Sequence, residues 1–245
     1  IRKPNDKMQV CSFFWIYFGF PCSSYEGINV EEVRNSLGEA LGETDEITPD
    51  FVCGIPDSGI GHAIGYSKGK GVPYKRAILK YTPTWPRSFT PSNQSMRNLV
   101  AKMKLLPNRE ILTDKKVVFL DDSIVRGTQL RETVDFMYKS GAKEVHMRSA
   151  CPPIMFPCKY LNFSRGNSEM ELIARRVIHE KEGDEGKKYI AEYSDCKTER
   201  GKCLLKTICE EMGFDSLGYQ SLEGLLEAIG LDRDKVCTYC WTGEE

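Results

Sequence analysis

Residues 117–128 read VVFLDDSIVRGT, a run of four apolar side chains followed at once by two carboxylates and a short hydroxyl-bearing loop. Val117, Val118, Phe119 and Leu120 fit a central parallel strand, because a strand covered on both faces is apolar without alternation. The chemistry then falls at the strand's carboxyl end, where open parallel sheets bind their ligands. Ser123, Ile124, Val125, Arg126, Gly127 and Thr128 supply backbone amides, two hydroxyls and a glycine that lets the chain approach an anion. Helical apolar spacing through Leu130, Val134 and Met137 puts a helix start beneath that loop, and a helix start attracts phosphate. Asp121 and Asp122 repel phosphate themselves. They suit ribose hydroxyls or, through the ligand, Mg²⁺. The order of these parts implies a sugar-phosphate site.

The rest of the chain supplies the scaffold such a site needs. Strands are expected at 51–55, 74–79, 117–120 and 145–150, and helices at 61–70, 95–105 and 129–140. Their alternation predicts an α/β fold with a parallel sheet flanked by helices. Ahead of it, 11–20 alternates aromatic and small residues and reads as a buried strand or hairpin arm, followed by a helix at 30–41. Beyond Cys158 the pattern is mostly helical, at 169–178, 204–212 and 221–229, the last with a serine start and Gly230 at its end. The charged stretch 179–202 reads as a mobile surface excursion. Pro83, Pro86 and Pro91 argue against a helix or central strand in 82–93, and a long loop beside a ligand site reads as a lid. The expected divisions are an amino-terminal segment, 1–45, packed on a core at 46–157, then a carboxyl-terminal region at 158–245.

Lys and Arg number 34 against 35 Asp and Glu, so no global basic field exists to hold nucleic acid and anion affinity must be local. The most apolar stretch, 13–20, is too short to span a bilayer, and no export leader opens the sequence. A cytoplasmic protein is expected, with neither nucleic-acid nor membrane partner. Ten cysteines in a chain of 245 residues without such a leader fit reduced thiols and a metal centre better than a disulfide scaffold. The one local cysteine motif is CxxC at Cys237 and Cys240, which by itself leaves a metal pair, a redox pair and coincidence open. Cys53, inside an apolar run, reads as a small buried thiol. His62 reads as a packed or helix-surface residue and His146 as a strand residue.

Several stretches together resemble the glutamine phosphoribosylpyrophosphate amidotransferases, a family with a type I phosphoribosyltransferase fold. DDSIVRGT is similar to their signature, PDSGIGHAIGY at 56–66 to their pyrophosphate loop, and ILK with PRSFTPSNQSMR, within 78–97, to their flexible catalytic flap. CPPIMFPCKY, ELIARR, FDSLGYQSLEGLLEAIG and CTYCWTG follow in the family's order. The chain departs from the family at Phe20 and Cys22, which stand for an arginine and an aspartate. Pro86-Arg87-Ser88 and Leu161-Asn162-Phe163 also differ from the usual motifs, and 179–202 resembles an insertion.

The resemblance implies displacement at the anomeric carbon of phosphoribosylpyrophosphate by ammonia, giving phosphoribosylamine and pyrophosphate at the start of purine synthesis. It assigns Pro56, Asp57, Ser58 and Gly59 to pyrophosphate, with Ser58, Asp121 and Asp122 on the Mg²⁺ side. Ser123, Ile124, Val125, Arg126, Gly127 and Thr128 fall to the 5-phosphate. Lys80, Arg87 and Lys104 become the cations that meet the diphosphate when the flap closes. In iron-sulfur members four cysteines hold a [4Fe-4S] cluster, and their places fall on Cys11, Cys158, Cys237 and Cys240. The other cysteines match no ligand position. The family also implies a homo-oligomer, and ammonia from a glutaminase domain absent from this chain, which opens Ile1-Arg2-Lys3-Pro4. A transferase using another amine or base, or a non-catalytic phosphoribosylpyrophosphate sensor, are the alternative functions.

Overall fold

The computed structural model describes residues 7–80, 105–160 and 168–244. Short strands β1 (Val10–Cys11), β2 (Ser24–Tyr25) and β3 (Ile28–Asn29) precede helix α1 (Val30–Thr44). The expected strand at 11–20 is confined to β1. A π-helical turn, Phe14–Phe18, follows it, because the aromatic pattern serves a wide turn that buries Trp15 and Ile16 while leaving Tyr17 and Phe18 exposed. Asn29 starts α1: its Oδ1 accepts from the amides of Glu31 and Glu32 at 2.9 and 3.1 Å, and two first-turn acids complement the helix dipole.

The core begins with β4 (Phe51–Gly54), α2 (Gly59–Lys70), β5 (Ile78–Lys80), β6 (Leu105–Pro107) and the short α3 (Arg109–Leu112). It continues through β7 (Lys116–Asp121), α4 (Thr128–Lys139), β8 (Glu144–Ser149), α5 (Ile173–Glu182), α6 (Ile190–Ser194), α7 (Glu199–Met212) and β9 (Ser216–Tyr219). The central sheet is parallel and four-stranded, in the order β4-β7-β8-β9. Alternate side chains of its apolar strands enter two cores. Phe51, Cys53, Val117, Phe119, Val145 and Met147 face α4, α5 and α7, while Val52, Val118 and Leu120 face Leu41, Ala63 and Tyr66 of α1 and α2. This double coverage is why the strands lack polar alternation.

Two elements differ from expectation. The strand at 74–79 splits: Tyr74 makes only an isolated bridge to Val52, and Ile78–Lys80 turns away to pair antiparallel with β6. The fourth sheet strand, β9, comes from a segment whose pattern gave only a helix after it. The helix expected at 95–105 lies outside the described residues, apart from Leu105, which opens β6.

Helices α1 and α2 pack almost backbone to backbone. A methyl group on Gly38 would lie 1.8 Å from the His62 carbonyl oxygen, and one on Gly65 would lie 1.9 Å from that of Asn35. Glycines along both contact faces bring the amino end of α2 close to α1, and α2 follows directly from the loop after β4.

The chain closes with α8 (Leu222–Ile229), β10 (Val236–Cys237) and α9 (Tyr239–Thr242). A third core joins the two ends of the described chain: Phe13 stacks on Trp241 at 5.5 Å, and β1 pairs parallel with β10. The stretch 179–202 is no loose excursion, because it folds into helical turns that bury Tyr193, with Arg200 bonding Glu182 and Glu192 at 2.9 and 2.8 Å. No helix among the described residues is long and apolar enough to cross a membrane.

Candidate active site

Parallel pairing of β4 with β7 sets Gly54 opposite Leu120, so the loops leaving the two strands rise side by side. They are pressed together there. The Ile55 amide donates to the Leu120 carbonyl at 2.8 Å, and a methyl on Gly59 would come within 2.3 Å of the same oxygen. Only glycine allows that approach.

Ser58 and Asp122 meet across this junction, with Ser58 Oγ donating to Asp122 Oδ2 at 2.5 Å. Ser123 Oγ donates to the other oxygen, Oδ1, at 2.6 Å, and the Asp122 amide donates to Asp121 Oδ1 at 2.9 Å. Burial and the neighbouring Asp122 carboxylate push Asp121 well above the ordinary carboxylate range. Asp122 is also raised by burial, against the opposing pull of the Ser123 and Ser58 hydroxyls and the Arg34 charge. Two crowded acids of this kind, beside hydroxyl groups, form a hard oxygen site that gains from a cation or from ribose hydroxyl donors.

Arg34 was not singled out by sequence. Its buried guanidinium donates to the carbonyls of Trp15, Tyr17 and Gly19 at 2.9, 3.0 and 2.9 Å, tying the amino-terminal turn beneath the acids. His62 is fully buried with Nε2 3.3 Å from the Ile16 carbonyl, which removes it from the pyrophosphate side. Its pKa falls to about 4, because burial disfavours the cation. His146 lies in β8 between Ser216 and Glu144.

Asp57 pairs with Lys80 at 2.5 Å, joining the loop after β4 to the end of β5. Arg87 and Lys104 lie outside the described residues. In the loop after β7, Ile124 is buried in the core beneath α4 and Val125 packs in the core shared by the chain ends, so those side chains anchor the loop and leave its backbone for an anion. Gly127 caps α4 at φ 80°, and a methyl there would strike Ile173 and Met212 at 2.7 and 2.8 Å. Arg126 points to Glu171 with Nη2–Oε2 at 2.6 Å. Glu171 and Arg176 come from ELIARR, whose position beside the loop is not readable from spacing.

The cysteines gather elsewhere. Register places Cys11 opposite Cys237 between β1 and β10. Cys240 is raised by burial and then by the electrostatic presence of Cys158, Cys11 and Cys237, while Cys11 is pushed up to about 11 by burial, with Cys237 and Cys158 adding to it. None of the ten cysteines forms a disulfide. Among the described residues no group of three or more His, Cys, Asp or Glu is drawn close enough to hold a metal ion as it stands.

A parallel sheet flanked by helices, with a serine loop and an acid-pair loop at adjacent strand ends, defines the type I phosphoribosyltransferase fold. Over nearly its whole length the chain is homologous to the amidophosphoribosyltransferases. It is 38% identical to the amidophosphoribosyltransferase of Methanocaldococcus jannaschii over 235 residues, covering 96% of this chain and 43% of the relative. Against the Bacillus subtilis amidophosphoribosyltransferase the identity is 36% over 244 residues, 98% of this chain and 45% of the relative. The solved glutamine phosphoribosylpyrophosphate amidotransferase from B. subtilis, complexed with ADP and GMP, superposes with a TM-score of 0.77 at 34% identity, over 99% of this chain and 48% of that one. The chain thus spans about half the length of the curated relatives it matches. No family model matches the chain.

Proposed function

We propose that this chain carries the phosphoribosyl transfer of an amidophosphoribosyltransferase, forming 5-phosphoribosylamine and pyrophosphate from phosphoribosylpyrophosphate and ammonia in purine synthesis. The observation that carries the reading is the contact of Ser58 with Asp122, which joins a pyrophosphate-type loop to a ribose-phosphate loop.

The ammonia nitrogen forms a bond to the anomeric carbon as the bond to the pyrophosphate oxygen breaks and that oxygen keeps the electron pair; the surplus proton passes to solvent. No side chain acts as nucleophile. The protein holds the reactants in line and steadies the departing charge. Asp121 and Asp122 hold the ribose hydroxyls, and backbone amides of 123–128 hold the 5-phosphate. Pro56, Asp57, Ser58 and Gly59 hold pyrophosphate, with Lys80, Arg87 and Lys104 as its cations. Bound Mg²⁺, held on the side of Ser58, Asp121 and Asp122, supplies charge neutralisation for the diphosphate.

Cys11, Cys158, Cys237 and Cys240 fit a [4Fe-4S] cluster in a structural role. Four thiols from three chain segments influence one another here, and the support for a cluster is their soft-sulfur chemistry together with the resemblance to iron-sulfur members of the family. Ammonia is supplied by a glutaminase domain. The setting is cytoplasmic and the active form a homo-oligomer.

The test is Mg²⁺-dependent pyrophosphate release from phosphoribosylpyrophosphate with ammonium as acceptor, compared with Asp121→Asn and Asp122→Asn. Turnover in the parent chain that both variants lose supports the reading. Binding without turnover replaces it with a sensor or a transferase for another acceptor.

A further inference from the structure

Resting on the phosphoribosyl reading, we propose that Arg176 is a positioning residue that aims the amides of the phosphate loop. Two consecutive carbonyls of the loop are held from outside by α5. The Ile173 amide donates to the Val125 carbonyl at 2.8 Å, and Arg176 Nη2 donates to the Arg126 carbonyl at 3.0 Å. In a trans peptide the carbonyl and the following N–H point in opposite directions. Gripping the Val125 and Arg126 carbonyls therefore turns the N–H groups of Arg126 and Gly127 away from α5, toward the hollow where an anion sits.

The grip is braced on both sides. Arg176 Nη1 reaches the Glu171 carbonyl at 3.4 Å, and the Glu171 carboxylate holds the Arg126 side chain at 2.6 Å. With Ile124 and Val125 seated in separate cores and the plane after Val125 held by the Ile173 amide, the plane after Arg126 is the next to be fixed, and Arg176 fixes it. The gain is preorganisation. Amides already aimed at the phosphate need no reorganisation when it arrives.

The experiment is calorimetric titration of the chain with ribose 5-phosphate and, separately, with Mg²⁺-pyrophosphate. Arg176→Met should weaken ribose 5-phosphate about tenfold, the scale of one lost charge-assisted hydrogen bond, and leave Mg²⁺-pyrophosphate unchanged, because its loop follows β4. Arg176→Lys should fall between, since a point charge lacks the planar fork that spans two carbonyls. Unchanged ribose 5-phosphate binding in Arg176→Met overturns the proposal. So does equal weakening of both ligands, which marks a general loss of structure, and so does wild-type behaviour of Arg176→Lys, which marks charge alone. Failure of the parent chain to bind either ligand overturns the phosphoribosyl reading itself, and is seen before any variant is made.

Discussion

Ser58 and Asp122, 64 positions apart in sequence, share a 2.5 Å hydrogen bond at the mouth of two neighbouring parallel strands. Under the proposed function that bond ties the loop assigned to the diphosphate to the loop assigned to the ribose phosphate. It also takes one of the few donors available to a crowded carboxylate. Ligand hydroxyls or a cation must supply the rest.

Asp121 therefore costs the unliganded protein stability. A carboxyl group whose pKa is raised on folding binds its proton more tightly in the folded state, so the contribution of this group to stability is most favourable at low pH and declines as pH rises from the unfolded value of 3.8 through the folded one. Asp121→Asn removes that burden. Its melting temperature at pH 7 without ligand should rise by about 2–4 °C, the scale of 1 kcal/mol at this size, while Mg²⁺-dependent turnover disappears. A variant less stable than the parent at neutral pH would show that the aspartate is satisfied without ligand.

The α1–α2 contact predicts the opposite kind of variant. At Gly65 a methyl group must displace the Asn35 backbone, since a carbonyl oxygen cannot move aside like the end of a side chain. Gly65→Ala should cost about 3 kcal/mol, typical of overpacking where no space exists, despite alanine's better helix propensity. Lys68→Ala, on the exposed face of the same helix, should show no measurable loss. Denaturant melts of the two variants make the comparison.

How much of this was legible in sequence follows from the range of each signal. The apolar run at 117–120 and the loop after it are local, and strand, acids and helix start all fall where the pattern puts them. Tyr17 and Phe18 misled the strand reading because exposed aromatics mimic alternation until the wide turn is seen. β9 has only four residues, including Gly218, too little for a pattern. Arg34 and Arg176 act through contacts with carbonyls 15–50 positions away, and a carbonyl has no sequence signature, while Glu171 acts by accepting from the Arg126 side chain 45 positions away. The four cysteines were found by resemblance; their gathering depends on β1 meeting β10.

His62 gives the fold an acid-sensitive joint. The ring is buried, close to the Arg34 charge and against the Ile16 carbonyl, and its pKa falls from 6.5 to about 4. The unfolded chain takes up a proton as pH drops below 6.5 and the folded one does not. Stability from this group is thus complete above pH 6.5 and is lost progressively down to about pH 4, a change of about 3 kcal/mol. His62→Gln, which stays neutral, should flatten the stability profile across that window. An unaltered slope would assign acid sensitivity to another group.

Metal removal should reach the substrate loop through packing. Cys240 is buried in the core that joins the chain ends, and Val125 of the loop after β7 packs against that same core, which also holds Cys151, Leu172 and Trp241. Loss of a cluster leaves buried thiols of raised pKa without a partner that favours the thiolate, and removes one of the ties among β1, β10 and the Cys158 turn. Protein purified without oxygen should be brown, with about four iron and four sulfide per chain; stoichiometric zinc without visible absorption would overturn the cluster. Cys237→Ser, or the parent after iron chelation, should melt several degrees lower and bind ribose 5-phosphate more weakly. The loss should spare Mg²⁺-pyrophosphate, because Ile55, which opens the loop after β4, packs on the sheet core beneath α4 and not on the core that joins the chain ends. Equal weakening of both ligands would mean that the cluster holds the whole sheet together rather than the Val125 side of it.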